Sequence, residues 1–245
     1  MKEWKNVRWI APTPFAVIIN ANRVTEARKF VRRIAERLAA IHLADDGTSS
    51  VIVTPEEIYN EFSGGIPDAA AIGRRADIAA ALRRIVPGEG VIEAPVEMRA
   101  YETDGLTAYR QMPLVVVLPE TTAQVSEVLK YAHEHGIKVV PRGAGTSLSG
   151  GALPLADGIL LGMAKFNRVL EIDYANRCAV VQPGVTNLAI TKAVEYKGFY
   201  YAPDPSSQIA CTIGGNVAEN SGGVHCLKYG LTANNVLGIE MVLVT

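Results

Sequence analysis

The chain has 245 residues, of which 49% are apolar and 20% are charged, and its formal net charge is −1 at pH 7. These values are ordinary for a soluble globular protein, and the near-neutral charge argues against a protein built around nucleic acid. No apolar run is long enough to cross a bilayer, and the N-terminus lacks the layout of a secretory signal peptide. Cys178, Cys211 and Cys226 show no CxxC spacing, which predicts reduced thiols in a cytosolic protein.

Residues 1–72 predict an N-terminal helical extension of unknown role. The pattern predicts a helix over residues 25–43, whose apolar face is formed by Phe30, Ile34, Leu38 and Ile41. Basic side chains cover the rest of this helix, which is typical of a solvated surface; the alternative is a face for an anionic membrane or a partner. We also predict a strand over residues 51–53 and a short helix over residues 55–62.

From residue 73 onward, strand and helix patterns alternate. The apolar run over residues 114–118 predicts a buried strand, and Thr121 or Thr122 caps the helix that follows. The next strand completes a β–α–β unit, so we expect its two strands to be parallel. The predicted strands span residues 114–118, 137–140, 158–163, 169–173, 178–182 and 236–244, the predicted helices span residues 77–85, 121–135 and 187–197, and residues 93–105 are expected to be irregular.

Residues 141–151, with the sequence PRGAGTSLSGG, contain four glycines and two serines and follow a predicted strand. Glycine lets backbone N–H groups approach an anion closely, while hydroxyl groups and an arginine add donors and positive charge. A Rossmann fingerprint requires glycine where Leu148 stands, and a P-loop requires lysine where Gly151 stands. Because a strand and not a helix is expected next, the pattern predicts a strand–loop–strand cradle for phosphate or pyrophosphate. The alternative is a flexible loop without a ligand.

A second glycine-rich stretch lies at residues 200–223. It includes the sequences TIGGN at residues 212–216 and NSGG at residues 220–223. We expect this stretch to be a second loop, and two glycine-rich loops in one domain predict a long ligand held at several points, for which a dinucleotide has a suitable length.

Four segments carry a resemblance to a known family. They are residues 101–110 (YETDGLTAYR), 142–155 (RGAGTSLSGGALPL), 200–211 (YYAPDPSSQIAC) and 213–230 (IGGNVAENSGGVHCLKYG). From about residue 76 to its end, the chain resembles the FAD-linked subunits of bacterial glycolate oxidases. These belong to the flavoprotein family that includes vanillyl-alcohol oxidase and the FAD-linked D-lactate dehydrogenases. The resemblance does not reach the N-terminal extension.

The resemblance implies an α+β fold, in which an FAD-binding domain of the vanillyl-alcohol oxidase type is built from two α+β subdomains with FAD between them. We place this domain at residues 73–245, after the extension over residues 1–72. Family members continue well past this length to complete the second subdomain and to add a substrate-binding cap domain. We therefore expect the second subdomain to be incomplete here and the substrate half of the active site to lie outside these 245 residues. On this view the chain is a fragment, the gene is truncated, or another polypeptide supplies the rest.

The resemblance also implies which residues contact the cofactor. The first loop would bind the pyrophosphate, and residues 203–223 would line the flavin. The expected cofactor-binding residues are Arg142, Gly143, Ala144, Gly145, Thr146, Ser147, Gly150, Gly151, Pro203, Ser206, Ser207, Gly214, Gly215, Asn216, Asn220, Gly222 and Gly223. Some relatives attach FAD covalently through a histidine in the first loop, and Thr146 occupies that position here. We therefore expect non-covalent FAD.

The reaction implied by the resemblance is oxidation of glycolate or D-lactate to the 2-oxo acid by hydride transfer to flavin. The alternative is a truncated, non-catalytic remnant that binds flavin. The expected partners are a small 2-hydroxy acid and companion glycolate oxidase subunits, with no nucleic acid and no metal. The expected location is cytoplasmic, with a peripheral position at the inner membrane face left open.

No catalytic base can be assigned from the sequence. His225 follows two glycines near the expected flavin, and we expect it to hydrogen-bond the chain or pack beside the cofactor. His133 and His135 are two residues apart on a helix and face different ways, so they do not predict a metal pair. Asp204 stands between two prolines and is expected to be a turn residue, while Asp104 stays a candidate acid.

Overall fold

The computed structural model describes residues 67–107 and 109–243. The helices predicted over residues 25–43 and 55–62, and the strand predicted over residues 51–53, lie outside the described residues. None of the helices within the described ranges combines the length and the hydropathy that crossing a bilayer requires.

The described residues form α-helices, β-strands and short 3-10 helices. The α-helices are α1 (Ala69–Gly73), α2 (Arg75–Ile85), α3 (Pro95–Met98), α4 (Thr122–Glu134), α5 (Asn187–Val194), α6 (Ile213–Glu219) and α7 (Cys226–Tyr229). The strands are β1 (Val91–Ile92), β2 (Val115–Val117), β3 (Lys138–Arg142), β4 (Gly158–Gly162), β5 (Val169–Asp173) and β6 (Cys178–Val181). Short 3-10 helices lie at Gly88–Gly90, Arg99–Tyr101, Glu195–Lys197 and Thr232–Asn235.

The larger sheet has the strand order β1-β2-β4-β3. Strands β2 and β3 both run parallel to β4, whereas β1 is antiparallel to β2. The strands joined by α4 are therefore parallel, as predicted, and β4 lies between them. In the β3–β4 register, Lys138 lies opposite Gly158 and Arg142 lies opposite Gly162.

Both faces of this sheet are covered. Val115 and Val117 point to the face on which α2 and α4 pack, and Val116 points to the face that carries Met98 and Leu155. Successive side chains of a strand point to opposite faces, so a strand buried on both sides is apolar throughout. This accounts for the continuous apolar run that predicted β2.

Helix α4 begins and ends as its sequence predicts. The Thr121 hydroxyl oxygen accepts a hydrogen bond from the Gln124 N–H, at 3.2 Å, and satisfies one of the free donors of the first turn. Val128 and Ala132 are buried on the sheet side. Gly136 follows the helix with a φ of 65°, a conformation that favours glycine.

The second sheet is an antiparallel hairpin of β5 and β6, with an irregular register between Val169 and Glu171. Helices α5 and α6 pack near it around a separate small core of Val185, Ile190 and Ile213. An isolated antiparallel bridge joins Thr186 to Thr212 and ties the starts of these two helices together. The α+β class predicted from the sequence is confirmed.

Three local predictions are wrong. Residues 93–105, which were expected to be irregular, contain helix α3 and the 3-10 helix Arg99–Tyr101. The stretch that includes Gly214 and Gly215 is not a loop, because residues 213–219 form helix α6. A β-carbon on Gly214 would lie 2.7 Å from Pro183 Cβ, so this glycine allows close packing of a helix. Residues 236–243 form no strand, since no described backbone group hydrogen-bonds to them. The exposed side chains at Leu237 and Ile239 retain the alternating pattern that prompted the prediction.

Candidate functional site

The glycine loop, residues 143–157, connects the parallel neighbours β3 and β4. It contains bends and turns but no helix, as the strand–loop–strand prediction requires. Gly145 has a φ of 69° and Gly150 a φ of 76°, so both adopt the left-handed region that favours glycine. The loop therefore depends on glycine at two defined positions.

Arg142, the last residue of β3, lies under this loop and not out in solvent. Its Nη1 donates hydrogen bonds to the carbonyl oxygens of Tyr101 and Ala152, at 3.4 and 3.3 Å. A β-carbon on Gly145 would overlap the Arg142 guanidinium, which therefore packs directly against the loop backbone.

The segment around Asp104 supports the loop from the same side. A β-carbon on Gly105 would lie 2.6 Å from the carbonyl oxygen of Ser147 and 2.7 Å from that of Thr146, so the two backbones are in close contact. Within the loop, Ser147 Oγ lies 2.8 Å from Ser149 Oγ and accepts a hydrogen bond from the Ser149 N–H. The middle of the loop is thereby held in one shape.

The two glycine-rich segments meet at Thr212. A β-carbon on Gly143 would overlap the Thr212 hydroxyl, and one on Gly215 would lie 3.4 Å from it. The prediction that both segments border a common ligand requires this proximity. Only a residue without a side chain fits between the start of the glycine loop and the start of α6.

Buried polar atoms without partners cluster near this junction. Thr212 Oγ1, Asn216 Nδ2 and Asn187 Oδ1 are buried and have no hydrogen-bond partner within the described residues. Buried polar groups are normally hydrogen-bonded, so free donors and acceptors here mark a place where a polar ligand fits. Asn187 Nδ2 donates to the Pro203 carbonyl oxygen, at 2.9 Å, which connects the turn at residues 203–207 to the same region.

A hydrogen bond between the side chains of Asp204 and His225 joins the turn to the end of the second glycine-rich stretch. His225 Nδ1 lies 2.6 Å from Asp204 Oδ2, and the His225 backbone N–H donates to Asp204 Oδ1 at 3.3 Å. Gly223 packs against Asp204 with no room for a β-carbon. Burial acts to raise the pKa of Asp204, but the hydrogen bonds from His225 outweigh it and hold the pKa below its ordinary value. His225 thus hydrogen-bonds within the chain, the alternative favoured from its sequence.

The remaining predicted residues contact other parts of the chain or lie at its surface. Asn220 ends α6 in the left-handed conformation, and its side-chain oxygen accepts from the Ala233 N–H at 2.9 Å. Gly222 packs against Leu231 and Cys226. The other members lie on turns or open loop surface, and they are Ala144, Gly151, Ser206 and Ser207.

Two residues of the site were not predicted. Thr212 separates Gly143 from Gly215, and Asn187 connects Pro203 to the carbonyl oxygen of Cys211. The sequence signals of both residues indicate only helix starts, since Thr is common at the N-cap and Asn187 opens α5. Their role at the site follows from tertiary packing alone.

The arrangement is suited to an elongated ligand with an anionic centre. Free polar atoms at Thr212 and Asn216 lie beside the backbone of the glycine loop, which Thr212 contacts at Gly143. Within residues 67–107 and 109–243, no group of three or more histidine, cysteine, aspartate or glutamate side chains is placed to hold a metal ion. The residues present fit a dinucleotide such as FAD.

Comparison with family models gives two matches. The model described as FAD binding domain matches residues 113–245, more than half of the chain. The model described as peptidase family C25 matches residues 11–81, under a third of the chain and mostly outside the described residues.

Curated relatives match the same region. The glycolate oxidase subunit GlcD of Escherichia coli strain K12 is 55% identical over 185 residues, which cover 75% of this chain and 36% of the relative. GlcD of Bacillus subtilis strain 168 is 48% identical over 143 residues, covering 58% of this chain and 30% of the relative. The D-lactate dehydrogenase of Archaeoglobus fulgidus is 44% identical over 143 residues, covering 58% and 32%. The chain spans about a third of the length of these relatives.

Solved structures share the fold. Alkyldihydroxyacetonephosphate synthase aligns with a TM-score of 0.57 and 23% identity, over 64% of this chain and 31% of that protein. The 4-ethylphenol oxidase of Gulosibacter chungangensis aligns with a TM-score of 0.55 and 26% identity, over 64% and 30%. These likenesses confirm the predicted FAD-binding fold of the vanillyl-alcohol oxidase type.

Proposed function

Because the chain belongs to the FAD-binding domain family, we propose that it is the FAD-binding part of a 2-hydroxy-acid dehydrogenase that oxidises glycolate or D-lactate to the 2-oxo acid. The observation that carries the proposal is the meeting of the two glycine-rich segments, where Gly143 packs against Thr212. Identity of 55% to a glycolate oxidase subunit supports glycolate as the substrate.

In this proposal the first part of the glycine loop, from Gly143 to Gly151, holds the diphosphate of FAD, and residues 203–223 line the flavin. Backbone N–H groups of this glycine-rich segment bind the anionic oxygens, because glycine backbone can approach an anion closely. Thr212 and Asn216 supply polar groups whose hydrogen-bonding capacity the described residues leave unused. When bound, FAD supplies a hydride acceptor, and the protein contributes its position and surroundings.

Attachment of FAD is non-covalent in this proposal. Thr146 occupies the loop position at which some relatives carry a histidine linked to the flavin. A threonine hydroxyl does not provide the imidazole nitrogen that such a bond requires. Denaturation with acid should therefore release all of the FAD into the supernatant.

The partners and location belong to the same proposal. A small 2-hydroxy acid is the substrate, and companion glycolate oxidase subunits bind the protein in the cytoplasm, at a peripheral position on the inner membrane face. The printed name of the Escherichia coli relative, which calls it a subunit, supports an assembly. The groups that bind the hydroxy acid are not assigned to this chain, which spans 36% of that relative.

One experiment separates the proposed dehydrogenase from its alternative, a flavin-binding remnant without catalysis. The purified 245-residue protein is mixed with FAD and with the companion glycolate oxidase subunits, because the groups that bind the hydroxy acid are not assigned to this chain. After removal of excess ligand, the visible spectrum is followed upon anaerobic addition of glycolate or D-lactate. Flavin absorbance that disappears with either acid supports the dehydrogenase. Flavin absorbance that persists with both acids supports the remnant, and a colourless protein contradicts FAD binding itself.

A further inference from the structure

Residues 201–211 form bends and turns and contain no helix or strand. Local hydrogen bonds shape the second half of this segment, from the Gln208 N–H to the Pro205 carbonyl oxygen and from the Cys211 N–H to that of Ser207, both at 2.8 Å. A segment without regular structure depends on other parts of the chain to pair its remaining backbone groups. The element that supplies those partners therefore fixes the position of the segment.

Helix α5 supplies these partners through the backbone of its first turn. The Asn187 N–H donates to the Cys211 carbonyl oxygen at 2.9 Å. The Leu188 N–H donates to the Gln208 carbonyl oxygen, also at 2.9 Å. The first N–H groups of a helix have no partner within the helix. The start of α5 and the second half of the segment therefore satisfy each other's backbone groups.

Two side chains of α5 hold the first half of the segment. Asn187 Nδ2 donates to the Pro203 carbonyl oxygen at 2.9 Å, and Asn187 is only 1% exposed. Thr191 Oγ1 accepts a hydrogen bond from the Tyr201 N–H at 3.1 Å. Asn187 and Thr191 are four residues apart and so lie on one face of the helix. This face of α5 therefore binds the chain just before the turn at residues 203–207.

We infer that Asn187 and Thr191 are positioning residues for the flavin, because they fix the turn at residues 203–207 against α5. The inference rests on the proposed function, which places residues 203–223 along the flavin. It adds two residues to the site that act through the backbone of their neighbours. Since the glycine loop belongs to the larger sheet, their effect should be confined to the flavin end of the ligand.

Two variants remove these hydrogen bonds separately. Thr191→Val keeps the shape of the side chain but removes the acceptor for the Tyr201 N–H, and it should weaken FAD binding about fivefold. Asn187→Leu has a similar volume, removes the donor to Pro203 and keeps the backbone N–H. It should weaken FAD binding about tenfold. The matched control is Asn176→Leu, which removes an exposed amide that donates to Asp173 and should leave binding unchanged.

Asn187→Leu also removes Asn187 Oδ1, which has no hydrogen-bond partner within the described residues. A loss of FAD affinity in this variant alone would therefore also fit a direct contact between Oδ1 and the ligand. Thr191→Val tests positioning without this ambiguity, because the Thr191 hydroxyl oxygen is already bonded to the chain.

Two readouts distinguish positioning from a general loss of stability. ADP carries the diphosphate without the flavin, so its affinity should be unchanged in both variants, whereas that of riboflavin should fall as that of FAD does. The visible absorption bands of bound FAD should shift, because the groups around the flavin ring tune its electronic properties. A purely structural role predicts a lower melting temperature with the FAD affinity and the bound spectrum unchanged.

The experiment is a fluorescence titration of FAD and riboflavin, with ADP titrated by calorimetry, into the 245-residue protein and its variants. Weaker binding of FAD and riboflavin by Thr191→Val and Asn187→Leu, with ADP affinity unchanged, supports the inference. If Asn187→Leu does not fold, Thr191→Val decides alone.

Unchanged FAD affinity in Thr191→Val, or an equal loss of ADP affinity, overturns the inference while leaving the proposed function intact. No FAD binding by the unaltered protein overturns the proposed function, and the inference with it.

Discussion

At the scale of single residues, two glycines of the same loop have opposite surroundings. Gly145 has a φ of 69° and no room for a β-carbon beside Arg142, whereas Gly151 has open space within 4 Å. Gly145→Ala combines backbone strain of about 1–2 kcal/mol with a steric clash, so we expect FAD affinity to fall at least about tenfold. The matched control is Gly73→Ala, at an open position outside the loop, and it should bind FAD like the unaltered protein, as measured by calorimetry. Equal losses of FAD affinity in the two variants would mean that FAD binding does not depend on the shape of the loop at Gly145.

The contact between Gly143 and Thr212 leads to a second prediction, that a substitution at Thr212 relieves the steric clash caused by one at Gly143. Gly143→Ala would overlap the Thr212 hydroxyl, and we expect it to lower the free energy of unfolding by about 1–3 kcal/mol. Thr212→Ala alone should have a small effect, because its hydroxyl has no hydrogen-bond partner within the described residues. The double variant should recover most of the lost stability, since the Thr212 hydroxyl is the group that overlaps the new side chain, whereas Thr212 Cβ would lie at an ordinary contact distance of 3.5 Å. Urea unfolding of the four proteins measures this coupling, and purely additive losses would show that the two residues are not in contact.

At the scale of elements, a buried ion pair anchors α1 to the parallel strands. Asp157 Oδ2 accepts hydrogen bonds from Lys138 Nζ, at 2.7 Å, and from the N–H of Asp68, the N-cap of α1, at 2.8 Å. Burial acts to raise the pKa of Asp157, but these hydrogen bonds outweigh it, and the pKa lies below the ordinary value of 3.8. A carboxyl group whose pKa is lowered by folding stabilises the fold above its unfolded pKa. That stabilisation is lost as the pH falls through the folded pKa.

We therefore expect Asp157→Asn to lower the free energy of unfolding by about 1–3 kcal/mol near neutral pH. The difference from the unaltered protein should shrink as the pH falls below 3.8, where Asp157 itself becomes protonated. Chemical denaturation across this pH range gives the measurement. Glu120→Gln, which removes an exposed ion pair with Lys165, serves as control and should have little effect at any pH. A constant difference across the range would show that the charge of Asp157 is not responsible.

Elements with a distinctive local sequence pattern were predictable from the sequence. A strand buried on both faces must be apolar throughout, which identified β2, and a threonine cap followed by a glycine stop identified α4. Helix α6 was missed because Gly214 and Gly215, which serve close packing against Pro183 and Thr212, resemble loop residues in a sequence. The predicted strand over residues 236–244 failed because strand formation requires a hydrogen-bonding neighbour, which an alternating pattern cannot supply.

The position of the glycine loop between two strands was predictable from its sequence. Gly145 and Gly150 have positive φ and Gly143 packs against Thr212, while their contact with the cofactor stays a prediction. The direction in which a long side chain points depends on distant segments, so the burial of Arg142 against the carbonyl oxygens of Tyr101 and Ala152 could not be predicted from the loop alone. The role of Thr212 could not be predicted either, because it depends on a contact with Gly143, which lies about seventy residues earlier in the chain.

At the scale of the whole molecule, the two glycine-rich segments belong to regions with separate hydrophobic cores. The loop after β3 projects from the larger sheet, whereas α6 packs with Val185 and Ile190 beside the hairpin of β5 and β6. A ligand held by both would stabilise the two regions together, because binding to the folded state adds to its stability by mass action. The central claim is therefore that one FAD is bound jointly, with its diphosphate at the loop and its flavin along residues 203–223.

The most direct test is a titration of FAD into the 245-residue protein, followed by displacement with ADP and with riboflavin. ADP carries the diphosphate without the flavin, and riboflavin carries the flavin without the diphosphate. Joint binding predicts one FAD per chain, weaker binding of each fragment than of FAD, and displacement of FAD by either one. Absence of saturable FAD binding, or displacement by only one of the two fragments, would contradict it.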